Sequence, residues 1–275
     1  MAAADGEKGD ADLGEIVSAL RGSRKYRFLC EDTLRRVAGW AGARHSGRRE
    51  ILKAAKRKLH QAYGAYLEGA DPAEVEAQVK ALPSGVSEEE LRAMCLGILR
   101  QHASTEERAP FMEEAYREIF RRTGRPQVVL DLACGLNPFA FPWMGLPREV
   151  TYHACDIDQR IVSAVGAFFS RLGVSHSAAC ADLLVSAPEV EADVALLLKT
   201  LPCLERQEKG AGAAVLREVR ARYVVVSFPA QSLGGREKGM REHYREEMRR
   251  IEEELDAGAE EIEFPTETFY VLAKG

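Results

Sequence analysis

A single stretch, from Val128 to Pro138 (VVLDLACGLNP), most constrains the fold of this chain. It begins with three apolar, mostly β-branched residues, which is typical of a strand buried on both faces of a sheet. Asp131 lies near the end of that strand, and Gly135 then allows backbone torsions and a close approach that a Cβ atom would prevent. In open α/β sheets, ligands bind just beyond the carboxyl ends of the strands. The stretch therefore predicts a parallel sheet with a ligand site at this turn.

A second acidic signal, Asp156-Ile157-Asp158, follows the next strand-like run. An acidic residue roughly 20 positions after the glycine turn can accept hydrogen bonds from a ribose diol, so it indicates a cofactor that contains a nucleoside. Gly135 is the only glycine of the Gly-x-Gly-x-x-Gly pattern that cradles a pyrophosphate, which disfavours NAD. S-adenosylmethionine has no phosphate. Asp131, Gly135 and Asp156 together therefore favour S-adenosyl-L-methionine as the cofactor.

The pattern of apolar residues along the rest of the chain predicts two structural regions, with a boundary at Gly124-Arg125-Pro126. Residues 1–122 are expected to be an all-helical N-terminal extension, with capping signals at Asp71-Pro72, Ser87 and Ser104. Residues 123–275 are expected to form an α/β, Rossmann-like, doubly wound sheet whose last two strands are an antiparallel hairpin. The seven predicted strands are Gln127–Leu132, Val150–Cys155, Ser175–Ala181, Val194–Leu198, Tyr223–Ser227, Glu260–Phe264 and Thr268–Leu272. The predicted helices among them are Asp158–Leu172, Gln207–Arg220 and Gly239–Leu255.

Charge is distributed unevenly along the chain. The segment from Arg21 to His60 holds 13 Lys/Arg and 3 Asp/Glu, a local +10, so that against a net charge of −5 the remainder carries −15. A strongly basic segment in an acidic protein indicates contact with a polyanion such as RNA, although a solvated helix face is the alternative. No apolar run is long enough to span a membrane, and the start of the chain is not a secretory signal, so we expect a cytoplasmic protein. The six cysteines fit no zinc site, and no metal is expected.

Other candidate residues follow the later strands and the extension. Asp182, after the third strand, can accept from an adenine amino group, or it can simply cap a helix. Lys199 ends an apolar strand, where a buried ammonium needs a partner, so it is expected at the site. Arg108 offers a fork for the methionine carboxylate, but it can equally be a surface arginine.

Two further features leave alternatives open. Pro202-Cys203 is placed like the cysteine nucleophile of enzymes that methylate pyrimidine C5, but a buried core cysteine is the favoured interpretation. The glycine-marked loop from Gln231 to Met240 carries Arg236 and Lys238, which can bind RNA phosphates, and Met240, which can hold a flipped base. An ordinary solvent loop is the alternative.

At these positions the chain resembles the aminoglycoside-resistance 16S ribosomal RNA methyltransferases that act on a guanine N7, most closely those of actinomycete antibiotic producers. The resemblance extends from about Ser23 to the C-terminus. The motifs that carry it are Arg24-Lys25-Tyr26, Tyr116–Phe120, Asp131–Pro138, Trp143–Pro147, Asp156–Asp158, Ala181–Leu184, Leu196–Glu205, Ser232–Gly234 and Lys238–Met240.

The resemblance implies a class I S-adenosylmethionine-dependent methyltransferase fold whose helical extension docks on the assembled 30S subunit. It implies methylation of a decoding-site guanine of 16S rRNA and aminoglycoside resistance. Carried onto this chain, it places Arg108, Gly135, Asp156, Asp182 and Leu183 around the cofactor and Lys199 and Glu205 near the reacting groups. The predicted cofactor site also includes Asp131 and Ile157. The resemblance places Arg48, Arg49, Lys53, Arg236, Lys238 and Met240 against the RNA. It assigns no role to residues 1–22 and 70–86.

The expected chemistry is consistent with the residues found. Guanine N7 has an in-plane lone pair and no proton, so it needs no general base to attack a sulfonium methyl group. The enzyme then has to align the reacting atoms and extrude the base from its helix. The alternatives are methylation of adenine N1 or cytosine C5, and a non-catalytic rRNA-binding assembly factor with the same fold.

Overall fold

The computed structural model describes residues 13–67, 71–83, 85–230 and 239–274. The part before the sheet is helical, as predicted. Its helices are α1 (13–21), α2 (Glu31–Gly42), α3 (Arg48–Leu67), α4 (Pro72–Lys80), α5 (Glu88–Leu99), α6 (Ala103–Arg108) and α7 (Met112–Thr123). The caps at Asp71 and Ser87 are confirmed. The capping box predicted at Ser104 is wrong, because α6 begins at Ala103 and the Thr105 hydroxyl donates to the Leu99 carbonyl instead.

The part after Gly124 is an α/β sheet with helices packed on it. Its strands are β1 (Val128–Leu132), β2 (Thr151–Asp156), β3 (Ser175–Cys180), β4 (Ala192–Leu198), β5 (Ala221–Pro229), β6 (Ala259–Glu263) and β7 (Glu267–Ala273). Its helices are α8 (Gln159–Leu172), α9 (Leu201–Gln207), α10 (Ala211–Glu218) and α11 (Met240–Leu255). A 3₁₀ helix, Asn137–Trp143, follows the turn after β1. All seven predicted strands are confirmed to within about two residues.

The strand order is β3-β2-β1-β4-β5-β7-β6. β1 pairs in parallel with β2 on one side and with β4 on the other, whereas β7 runs antiparallel to both β5 and β6. The predicted doubly wound sheet with a final antiparallel hairpin is therefore confirmed. Because the strand order reverses beside β1, the carboxyl ends of β1 and β4 border the crevice in which such sheets bind ligands.

The helix predicted over Gln207–Arg220 is present as α10 but begins four residues later, at Ala211, and the preceding helix α9 was not predicted. Gly210, between the two helices, has a φ of +83°. This left-handed conformation, which glycine adopts without strain, cannot continue an α-helix.

The helical extension packs as two groups. Helices α1 to α3 bury a cluster of their own around Leu20, Leu34 and Leu59. Side chains of α4, α5 and α7 instead share a core with one face of the sheet. Backbone hydrogen bonds also join the extension to the sheet: Cys30 N donates to Ile157 O at 2.8 Å, and Gln159 N donates to Phe28 O at 2.9 Å. Among the described helices, none combines the length and apolar character of a membrane span.

Candidate functional site

A cleft opens at the carboxyl ends of β1, β2 and β4, where the topology predicts one. Its lining includes eight of the predicted site residues: Arg108, Asp131, Gly135, Asp156, Ile157, Asp182, Leu183 and Lys199. These residues come from helix α6 and from the ends of four strands. The fold therefore brings together groups that are scattered over more than 90 positions of sequence.

The turn at Gly135 is in direct contact with Asp156, which ends β2. Asp156 Oδ2 accepts from the backbone N–H of Gly135 at 2.9 Å, and Oδ1 accepts from that of Asp158 at 3.0 Å. Gly135 has a φ of +49°, and no atom lies within 4 Å of the place where a Cβ would stand. Burial raises the pKa of the Asp156 carboxyl. Each carboxylate oxygen has a second lone pair, so both can still accept from a diol.

Asp131 is buried beneath this turn. Its Oδ2 accepts from the Asn137 side-chain amide at 2.9 Å and from the Tyr152 hydroxyl at 2.7 Å. Burial raises the pKa of the Asp131 carboxyl to about 7, although these two hydrogen bonds and the nearby Arg108 guanidinium oppose the shift. A carboxylate held in this way gains stability from any cation that enters the cleft.

Arg108 is also buried, and it is joined to the same network. Its guanidinium donates to both oxygens of Glu267, at 3.0 and 2.6 Å, and to Asn137 Oδ1 at 2.7 Å. Among the described residues these bonds use three of its five N–H groups, which leaves two for a ligand carboxylate. The alternative of a surface arginine is wrong, because the Arg108 side chain is only 3% exposed.

Glu267 and Asn137 are buried partners of Arg108 that the sequence reasoning missed. Asn137 lies inside the Asp131–Pro138 motif, but its part in joining Arg108 to Asp131 was not anticipated. Glu267 begins β7 and is completely buried, and the Ser227 hydroxyl donates to it at 2.5 Å. The available signal was an acidic residue next to a strand that is otherwise apolar, since such a charge requires a partner when it is buried.

Lys199 lies where β4 ends, with a φ of +55°, a conformation that few non-glycine residues adopt. Its ammonium is 2.7 Å from Glu107 Oε2 and 3.6 Å from Glu267 Oε2. The backbone N–H of Lys199 donates to both the carbonyl and the hydroxyl of Ser227. Lys199 lines the cleft at the carboxyl end of β4, and two carboxylates hold it there.

Asp182 is buried at the end of β3. Its Oδ1 accepts from the backbone N–H of Leu184 at 3.0 Å, and its Oδ2 accepts from the guanidinium of Arg36 at 2.9 Å. The first bond has the geometry of a local turn. The second comes from helix α2 of the extension and had no counterpart in the sequence reasoning.

Two expectations near the end of β4 need correction. Glu205 does not line the cleft: its carboxylate accepts from the backbone N–H groups of Gly210 and Gly212, at 2.9 and 2.7 Å, and so stabilises the turn before α10. Cys203 is not a core cysteine. It is half-buried and lines the cleft.

The residues predicted to contact RNA do not line the cleft, where the structure describes them. Arg48, Arg49 and Lys53 are exposed on α3, and Arg48 lies 3.4 Å from Glu15. Met240 is half-buried at the start of α11. Arg236 and Lys238 lie outside the described residues. Exposed cations of the basic segment include Arg21, Arg24, Lys25, Arg27, Arg35, Arg44 and Arg57.

The polar side chains that line the cleft suit a nucleoside that carries a cationic amino acid. It offers acceptors for hydroxyl, amino and ammonium groups, and a guanidinium for a carboxylate. In the described part of the chain, no three His, Cys, Asp or Glu side chains form a group that could hold a metal ion. The acceptors and the guanidinium of the cleft can bind and align a charged nucleoside.

Comparison with known proteins gives consistent matches over almost the whole chain. The family profile described as "Ribosomal RNA methyltransferase (FmrO)" matches residues 22–271. A 16S rRNA (guanine(1405)-N(7))-methyltransferase of Micromonospora rosea is 41% identical over 270 residues, which cover 97% of this chain and 98% of that protein. One of Serratia marcescens with the same description is 35% identical and covers 85% of this chain and 87% of its own length.

A solved structure gives the same result. The crystal structure of the 16S rRNA methyltransferase RmtF in complex with S-adenosyl-L-homocysteine superposes with a TM-score of 0.79 at 32% identity. The match covers 96% of this chain and 98% of that chain. Both the helical extension and the sheet are thus shared with that protein.

Proposed function

The chain belongs to the FmrO family of ribosomal RNA methyltransferases, and on that premise we propose that it methylates N7 of guanine 1405 in 16S rRNA, using S-adenosyl-L-methionine. One observation supports the cofactor most directly. Asp131, Gly135, Asp156 and Asp182 line a single cleft together with the buried Arg108. S-adenosylmethionine supplies an electrophilic methyl group on a sulfonium when it is bound.

Each part of the cofactor has a partner of suitable chemistry in the cleft. Asp156 accepts from the ribose hydroxyls, and Asp182 accepts from the adenine amino group. Asp131 faces the α-ammonium, whose charge stabilises the ionised carboxylate. The two remaining N–H groups of Arg108 bind the methionine carboxylate. Ile157 and Leu183 pack against the nucleoside as apolar walls.

The target nitrogen requires alignment more than activation. N7 of guanine carries a free lone pair, so no residue has to remove a proton before the transfer. Lys199 donates to O6, the acceptor beside N7, and thereby orients the base without occupying the attacking lone pair. Glu107 and Glu267 keep the lysine directed into the cleft. We do not assign a catalytic role to Glu205.

The helical extension, residues 1–122, docks on the assembled 30S subunit, and residues 123–275 carry the catalytic sheet. Support comes from the exposed cations of α2 and α3, among them Arg48, Arg49 and Lys53. Phosphate contacts of this kind fix position and orientation on RNA. Arg236, Lys238 and Met240 are proposed to approach the target nucleotide. We propose that methylation of this decoding-site target confers aminoglycoside resistance and takes place in the cytoplasm.

The test is methyl transfer to purified 30S subunits with labelled S-adenosylmethionine, compared with transfer to free 16S rRNA. Aniline cleavage at the modified base followed by primer extension should map the label to guanine 1405. Label at a neighbouring adenine or cytosine would support the alternative methyltransferases. Particles that remain unlabelled, under conditions in which a related enzyme labels them, would favour a non-catalytic assembly factor.

A further inference from the structure

Arg36 of the helical extension is paired with a carboxylate in the cofactor cleft. Its Nε lies 2.9 Å and one terminal nitrogen 2.8 Å from Asp182 Oδ2, across 146 positions of sequence. The Asp182 side chain is only 2% exposed and that of Arg36 18%. A pair that is so well shielded from water is screened much less than a surface ion pair.

Two other side chains hold Arg36 in place. The same terminal nitrogen donates to the hydroxyl of Tyr63 at 2.9 Å and to Oε1 of Gln207 at 3.1 Å. Tyr63 in turn donates to Gln207 at 3.1 Å. Tyr63 and Gln207 also line the cleft, one from α3 and the other from α9. The guanidinium is therefore fixed by the extension and the sheet together.

The Asp182 carboxylate depends on this arginine for its orientation. A buried carboxylate is unfavourable unless it is paired. Within the described parts of the chain, the only other hydrogen bond to the Asp182 side chain comes from the backbone N–H of Leu184. Without the guanidinium, the carboxyl group would rotate toward water. This change would remove an acceptor that is directed at a fixed place in the cleft.

We propose that Arg36 is a positioning residue for the cofactor: it holds the Asp182 carboxylate oriented for the adenine amino group, so that the helical extension completes the cofactor site. This inference rests on the proposed use of S-adenosylmethionine. The extension would then serve cofactor binding as well as docking.

The experiment measures the affinity of the full-length protein for S-adenosylmethionine by calorimetry, together with steady-state methylation of 30S subunits. For Arg36→Gln we expect the dissociation constant to rise roughly tenfold or more, as for loss of a hydrogen bond to a charged group. KM for the cofactor should rise in parallel, with kcat within about twofold of the wild type, because Arg36 acts on binding and not on the reacting atoms. Arg36→Lys, which keeps the charge but not the fork, should recover part of the affinity.

Arg35→Gln is the matched control for cofactor affinity. Arg35 lies on the same helix but is 67% exposed and pairs with Glu31. A double-mutant cycle adds the decisive comparison: in an Asp182→Asn background, Arg36→Gln should have almost no further effect on affinity.

Two results would overturn the inference. One is wild-type affinity in Arg36→Gln, and the other is an equal loss of affinity in the Asp182→Asn background, which would indicate a general structural defect. These results differ from those expected if the proposed function itself is wrong. In that case the wild-type protein would neither bind S-adenosylmethionine nor methylate the subunit.

Discussion

The side chains of Arg108 and Glu267 form a buried two-point ion pair, with N–O distances of 2.6 and 3.0 Å, although the residues lie 159 positions apart. Arg108 ends a helix of the extension, and Glu267 begins β7. The pair thus fixes the guanidinium to the sheet, beside the Asn137–Asp131 network. Its geometry leaves the outer edge of the guanidinium for a ligand in the cleft.

Glu267→Gln should destabilise the protein and weaken cofactor binding. The glutamine amide would place an N–H donor opposite a donor of Arg108 and leave the buried guanidinium without its counter-charge. Removing one member of a buried pair costs about 3 kcal/mol or more. Chemical denaturation should show this loss of unfolding free energy, and calorimetry should show weaker binding of S-adenosylmethionine.

Glu260→Gln is the control for Glu267→Gln. Glu260 contacts Arg122 at 3.2 Å, but its side chain is 72% exposed. An exposed pair contributes less than about 1 kcal/mol, so both measurements should stay close to the wild type. Equal effects of the two substitutions would contradict the role given to the buried pair.

Cofactor affinity should increase as the pH rises toward neutrality. Burial raises the pKa of Asp131 to about 7, so below that pH the carboxyl group is largely protonated and cannot pair with the α-ammonium. Binding of the cation must then expel a proton, and affinity at pH 6 should be about tenfold below its plateau above pH 7. Calorimetry in buffers of different ionisation enthalpy should detect the released proton.

The same pKa predicts the opposite trend for stability without the cofactor. The carboxyl ionises at lower pH in the unfolded chain, so its contribution to stability should fall as the pH rises from about 4 to 7. Asp131→Asn cannot ionise. That variant should bind weakly at every pH, and a persistent pH-dependent affinity in it would assign the titration to another group.

The sequence predicted those parts of the fold and site that depend on local patterns. Apolar β-branched runs identified the strands, and Gly135 with Asp156 identified the cofactor edge, because a strand's end and the turn after it are set by neighbouring residues. The partners of Arg108 and Asp182 were not predictable in this way. Glu267 contacts Arg108, and Arg36 contacts Asp182, only after the chain has folded. A local sequence pattern cannot predict a contact between residues more than 140 positions apart.

The remaining errors concern where helices begin. The helix predicted from Gln207 begins only after Gly210, and Glu205, assigned to the site by resemblance, instead stabilises the turn between α9 and α10. Cys203 follows a proline in an apolar run, which favoured the core, but the first turn of α9 directs it to the cleft. Side-chain direction on a short helix depends on its starting residue, which sequence patterns locate least well.

Replacing Cys203 by Ala should leave methyl transfer to the guanine within about threefold of the wild type. N7 attacks the methyl group directly, whereas methylation of pyrimidine C5 requires a thiolate to add to the ring first. The Cys203 sulfur lies at the cleft, 4.0 Å from the Lys199 carbonyl oxygen, so its removal tests both reactions at the correct place. Loss of all transfer, with cofactor affinity retained, would favour C5 chemistry.

Charge reversal of the basic surface should separate docking from cofactor binding. The triple change of Arg48, Arg49 and Lys53 to Glu should weaken 30S binding uniformly and lower the slope of log affinity against log salt by about 3, one for each lost phosphate contact. Affinity for S-adenosylmethionine should be unchanged, because these exposed side chains do not line the cleft. Filter binding at several salt concentrations and calorimetry would measure the two quantities.

Asp156→Ala should give the reverse result, with cofactor affinity lost and 30S binding retained, since the Asp156 carboxylate holds the glycine turn in the cleft.

The matched control for the charge reversal on α3 is a triple change to Glu of Arg217, Arg220 and Arg222. These arginines are exposed near the amino end of β5, at the opposite edge of the sheet from the cleft. If docking used any positive surface, this control would weaken subunit binding as much as the α3 variant does. Equal loss in both would contradict docking through α3, whereas loss of cofactor affinity in the α3 variant would contradict the separation of the two roles.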